Sequence, residues 1–130
     1  MLNTEDACEK IIIVESWNLM RKFMEEAVRK MNEFRLEMVL PDYKKIDEAI
    51  IGNDISLLIA EYISGREDEV FSAIKRVREK CPGIKIVVTT LTTTGILEEK
   101  AKDAGADGIW QKEISEDSFI RMCRSTFYTH

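Results

Sequence analysis

The chain has 130 residues, with 19 Lys and Arg against 24 Asp and Glu, a net charge of −5, 45% hydrophobic and 33% charged residues, as expected of one ordinary globular domain with room for one core. The acidic balance argues against nucleic acid as partner, the apolar runs fall far short of the ~18 residues of a membrane span, and acidic Met1 to Lys10 is unlike a secretory signal, so a cytoplasmic protein is expected. Cys8, Cys81 and Cys123 read as thiols rather than disulfides, and with His130 the only histidine a histidine-built metal or catalytic site is excluded.

Period analysis predicts five strands alternating with five helices. Ile11 to Val14 is an unbroken apolar run, the mark of a strand buried on both faces, and the helix after it carries Met20, Phe23, Met24, Ala27 and Met31 on one side. Its methionines read as core, and Ser16 reads as its cap. Phe34, Leu36, Met38 and Leu40 alternate with Arg35, Glu37 and Val39, which predicts an edge strand exposed on one side. Pro41 and Asp42 break the chain, and Ile46, Ala49 and Ile50 give a short second helix.

A third strand runs from Ile55 to Ala60. The third helix opens on Glu67, Asp68 and Glu69 and closes on Lys75, Arg76, Arg78 and Lys80, the polarity that the helix dipole favours, with Val70, Phe71, Ile74 and Val77 as its inner stripe. Pro82-Gly83 stops it. Ile84 to Val88 is the fourth strand, Ile96, Leu97, Ala101 and Ala104 mark the fourth helix, and Gly105 ends it. Gly108 to Gln111 is the fifth strand, and Ser115 caps a last helix bearing Phe119, Ile120, Cys123 and Phe127. One α/β domain over residues 1–130 follows, its core from about Lys10 to Phe127: a doubly wound, three-layer sheet of order 2-1-3-4-5, flavodoxin-like.

In such a sheet, ligands gather beyond the carboxyl ends of the strands. Each apolar run here ends in polar chemistry: Glu15-Ser16, Glu61, Thr89-Thr90 and Lys112. Glu15, Ser16, Glu61, Thr90 and Lys112 are therefore the candidate site. A bland reading stands beside it, in which Glu61 simply pairs with Lys112 and holds the crevice closed, Glu15 is a solvated loop acid, and the Thr89 to Thr94 run serves the strand end and helix start. Trp17 and Trp110 read as packing residues, and Lys44, Lys45 and Lys85 as solvated surface.

The runs IIIVES at 11–16, LLIAEY at 57–62, IVVTT at 86–90 and AGADGIWQK at 104–112 together resemble the receiver domain of two-component response regulators, the CheY-like family. The resemblance implies an acid pair after the first strand and an aspartate after the third that hold Mg²⁺, the aspartate accepting a phosphoryl group. It also implies a hydroxyl and a lysine, here Thr90 and Lys112, that bind the phosphate oxygens. This chain departs from that pattern. The acid pair is Glu15-Ser16, and the acceptor position falls on Glu61 or, with another gap, on Ile59; neither is an aspartate. Glu15 and Glu61 remain as metal ligands of lowered affinity. Glu113 stands where a proline often follows the lysine, and Ile109, beside Trp110, stands where an aromatic often reports activation.

The leading expectation is a non-enzymatic pseudo-receiver that signals by binding protein, a sensor kinase or a downstream effector, without a cofactor and without aspartate phosphorylation. The resemblance implies a recognition face formed by the fourth helix, fifth strand and fifth helix, which is also where a homodimer is expected. The alternatives are a conventional phosphorylated receiver using Mg²⁺ and a small flavodoxin-like enzyme or nucleotide binder. The absence of a glycine fingerprint at Glu15-Ser16-Trp17-Asn18 weighs against the last. With no effector segment after Phe127, the chain is expected to be a single-domain regulator or a piece of a longer one.

Overall fold

The computed structural model describes residues 8–128, so most of the acidic leader, and His130, lie outside the described residues. Strands and helices alternate as β1 Glu9–Val14, α1 Asn18–Arg29, β2 Phe34–Leu40, α2 Ile46–Ile50, β3 Ile55–Glu61, α3 Glu67–Lys80, β4 Lys85–Thr90, α4 Gly95–Ala104, β5 Gly108–Gln111 and α5 Glu116–Tyr128. All pairings are parallel and the order is β2-β1-β3-β4-β5. This is the flavodoxin-like arrangement expected from the alternation of periods.

Side-chain alternation along the central strands feeds two cores. Ile12, Val14, Leu58, Ala60, Ile86 and Val88 face α2, α3 and α4. Ile11, Ile13, Leu57, Ile59 and Val87 face α1 and α5, where Met20, Met24, Met31 and Phe119 pack on them. Parity therefore places Glu15, Glu61 and Lys112, each two positions beyond Ile13, Ile59 and Trp110, on the α1/α5 side of the sheet's carboxyl edge.

Three local expectations are corrected. The period-two pattern of β2 breaks: Ile11 pairs with Leu36 but Ile12 with Met38, so Glu37 is bulged out, Met38 turns to solvent, and Val39 joins Phe34 and Leu36 on the α1/α5 side. Ser16 does not cap α1; Trp17 holds the cap position with no side-chain cap bond, and the Ser16 N–H is directed at Glu61 instead. Trp17 is half exposed rather than packed.

Other helix ends follow the local chemistry. Ser115 Oγ accepts the Ser118 N–H at 3.1 Å and Thr94 Oγ1 accepts the Leu97 N–H at 3.1 Å. Gly105 terminates α4 at φ +118°, a left-handed conformation that side chains disfavour. Lys44 and Lys45 are exposed and Lys85 is half-buried. None of the three cysteines is in a disulfide, and burial pushes the Cys123 thiol up to about 12, which leaves it inert.

Candidate functional site

The carboxyl edge brings three charged side chains into one buried cluster. Lys112 Nζ lies 2.5 Å from Glu61 Oε2 and 2.8 Å from Glu15 Oε1, the three side chains being 5%, 7% and 0% exposed respectively. The remaining carboxylate oxygens are also engaged: Glu61 Oε1 accepts the Ser16 N–H at 2.9 Å, and Glu15 Oε2 accepts the Trp17 N–H at 3.0 Å. The β1-to-α1 connection is thus wrapped onto the acids by its own backbone. Glu15, expected as a solvated loop acid in the bland reading, is instead fully buried.

A depression of about 440 Å³ opens above the cluster, with Ser16, Glu61, Tyr62, Thr90, Thr92 and Lys112 in its lining. Thr90 reaches it as expected, but its hydroxyl is turned to its own loop, donating to the Thr92 carbonyl at 3.0 Å and accepting the Thr92 N–H at 3.3 Å. Ile59, the other residue considered for the acceptor position, is fully buried under α1 and α5. The last residue of β3 is Glu61.

Burial and a hydrogen bond with Glu61 push Glu15 up to about 7, against the pull of Lys112. Burial acts on Glu61 in the same direction, yet hydrogen bonds from Glu15, Lys112 and Ser16 outweigh it and hold Glu61 down to about 2. The pair titrates as a unit, with Glu61 the acid held in its charged form and Glu15 the one that keeps a proton more readily.

Mg²⁺ does not fit these residues. A divalent ion of this class needs about six oxygens, several of them charged or carbonyl, and here every carboxylate oxygen already faces an ammonium or an amide. Among the described residues no group of three or more His, Cys, Asp or Glu is arranged to hold a metal.

Sequence reasoning missed the residues that brace the cluster. The Tyr43 hydroxyl, buried behind β3, donates to the Glu61 carbonyl oxygen at 2.5 Å; burial and the nearby carboxylates push its pKa well up, so it stays a neutral donor. Arg21 donates to the Glu15 and Ser16 carbonyls at 2.8 and 3.0 Å, fastening the first turn of α1 to the loop. Thr89 Oγ1, in register with Glu61 across β3 and β4, is buried without a hydrogen-bond partner. The only sequence signal was proximity to a strand end, which Thr89 shares with Thr90.

Several large apolar side chains are exposed at this end of the sheet, Leu91 among the residues that line the depression. Trp17, Leu19, Leu91, Ile96 and Ile114 are 50 to 72% exposed, and all lie in the carboxyl-edge loops or the first turns of α1 and α4. A separate groove of about 830 Å³ follows β5 and α5, lined by Ile109, Trp110 and Arg121 among others. Trp110 itself packs edge-on against Phe119 at 5.6 Å and donates to Ser118 Oγ at 3.1 Å, and Glu113 accepts from that same hydroxyl.

No protein-family model matches the chain, and no curated protein matches it. Solved structures do. A response regulator from Thermotoga maritima superposes with a TM-score of 0.82 at 17% identity, over 94% of this chain and 99% of that one. The chemotaxis protein CheY4 of Vibrio cholerae gives 0.81 at 15% identity, over 92% and 99%. A CheY-like response regulator receiver domain protein from Methanospirillum hungatei gives 0.79 at 14%, over 92% and 94%. At such identities the likeness is one of architecture, and the fold of this chain is that of the CheY-like receiver domains.

Proposed function

We propose that this chain is a receiver-like signalling module that works by binding another protein and is not switched by an acyl phosphate. The observation that carries this reading is the closed triad: both oxygens of Glu61 are engaged, one by Lys112 Nζ and one by the Ser16 N–H. Phosphoryl transfer needs a well-placed nucleophilic carboxylate and a cation to neutralise the incoming charge. Here the carboxylate is a glutamate already bonded on both sides, and the cation beside it is a lysine fixed to two acids.

The exposed apolar side chains of the carboxyl-edge loops and first helical turns support the binding half of the proposal. Large apolar side chains exposed on a small domain mark interaction surfaces, and Ile96 is exposed on α4 and Ile114 between β5 and α5. A sensor kinase or a downstream effector is the partner class, with a second copy of the chain on the same face as a further possibility for assembly. We assign the site no catalytic role and no cofactor.

The test is addition of beryllofluoride with Mg²⁺, which builds a phosphoryl mimic on a competent carboxylate, followed by amide NMR. The expected result is no saturable shift at Glu61, Thr90 or Lys112. Saturable shifts centred there, and absent in Glu61→Ala, favour the phosphorylated receiver instead.

A further inference from the structure

We propose that the carboxyl end of the sheet docks a second copy of this chain, two copies meeting end to end about a two-fold axis. The proposal deepens the binding half of the reading above and rests on it. Its ground is where the chain exposes apolar side chains and where it withholds charge. Among the described residues eight large apolar side chains are exposed, and five of them, Trp17, Leu19, Leu91, Ile96 and Ile114, are at this end. Strand order makes the connections after β1, β3 and β4 neighbours. They run from Ser16 to Met20, Tyr62 to Gly65 and Leu91 to Leu97 without one charged residue, in a chain that is 33% charged. Single apolar side chains on a surface are ordinary; apolar side chains collected where charge is depleted have the composition of an interface core. The exposed charges of this end stand at its margins, on Lys44 and Lys45 after the outermost strand β2 and on Glu113 after β5.

Charge also selects the occupant. The chain has a net charge of −5, so two copies repel unless they meet where neither presents charge. A two-fold contact sets each patch against itself. On α4 and α5 such a contact must pair or desolvate exposed Glu98, Glu99, Lys102, Asp117 and Arg121. The connections at the carboxyl end present apolar groups, hydroxyls and backbone instead, and their contact carries no such cost.

Sedimentation velocity of the full chain from about 10 μM to about 1 mM tests the proposal. The expected result is a reversible monomer–dimer equilibrium that persists from about 0.05 to about 0.5 M NaCl, because apolar contacts are not screened. Leu91→Glu sets a charge against the second copy and is expected to weaken the dimer at least about tenfold, whereas Arg121→Glu on α5 is expected to leave it unchanged. If Leu91→Glu does not fold, Ile114→Glu takes its place. A chain that stays monomeric through about 1 mM overturns the proposal and leaves this end to a different protein. A dimer that added salt dissolves overturns it as well, being held by ion pairs. So does a dimer that Leu91→Glu leaves as tight as before, or that Arg121→Glu weakens as strongly as Leu91→Glu does. None of these readouts involves phosphate: a monomer sinks this proposal alone, whereas a beryllofluoride adduct sinks the proposed function whatever the oligomeric state.

Discussion

Lys112, Glu61 and Glu15 behave as one object, so removing one partner strands the others. Lys112→Met leaves the buried Glu15–Glu61 pair, and the negative charge held on Glu61, without a counter-charge, and a loss of about 3–5 kcal/mol in urea-unfolding free energy is expected at neutral pH. Thr89→Val acts in the opposite sense. Its hydroxyl is buried without a partner, and replacing it with a methyl removes a desolvation cost, so a gain of about 1 kcal/mol is expected from the same measurement. A loss on Thr89→Val would mean that the hydroxyl is bonded.

The pH dependence separates the two acids. Glu15 is raised from 4.5 to about 7, so the folded chain holds a proton that the unfolded chain has released, and its contribution, full below about 4.5, is lost as pH rises through about 7. Glu61 is lowered to about 2, so its contribution is present above about 4.5 and lost as pH falls toward 2. Glu15→Gln should therefore gain ground on the wild type as pH rises from about 4.5 to about 7, read as the difference in urea midpoints. A constant difference across that window contradicts the raised Glu15.

How much of the cluster was legible follows from what kind of signal places each residue. Glu15, Glu61, Thr90 and Lys112 each end an apolar run, and topology alone then gathers them. Tyr43 and Arg21 were not legible because their partners are backbone carbonyls, which leave no mark in a sequence. The burial of Glu15 escaped for a related reason: only the Trp17 N–H folding back on its carboxylate closes the loop over it.

At the scale of elements, the central strands were readable because they are apolar on both faces, while β2 was misread. Its clean alternation hides the bulge at Glu37, and a one-residue offset sends every later side chain to the opposite face. The junction of α3, α4 and β5 depends on Arg78, whose guanidinium donates to the Gly105, Pro82 and Ile84 carbonyls and to Asp107. Gly105→Ala is strained there twice over, by φ +118° and by a Cβ that would meet Arg78 Cβ at 3.1 Å. A loss of about 1–2 kcal/mol in thermal or urea unfolding is expected; an unchanged midpoint would show that Arg78 yields freely.

At the scale of the whole molecule, the fold sets acids, hydroxyls and a lysine around one crevice, and the particular residues of this chain close it. On the proposed function, the crevice held by Lys112 needs no acyl phosphate for the exposed Trp17, Leu19, Leu91, Ile96 and Ile114 to meet a partner. No described helix is long and apolar enough to cross a membrane.

The most direct measurement is intact mass of the purified chain after incubation with acetyl phosphate and Mg²⁺, at neutral pH where acyl phosphates survive. The account predicts an unchanged mass for both the wild type and Glu61→Gln. A phosphate adduct on the wild type that is absent from Glu61→Gln would contradict it, and would make this chain a phosphorylated receiver whose acceptor is a glutamate.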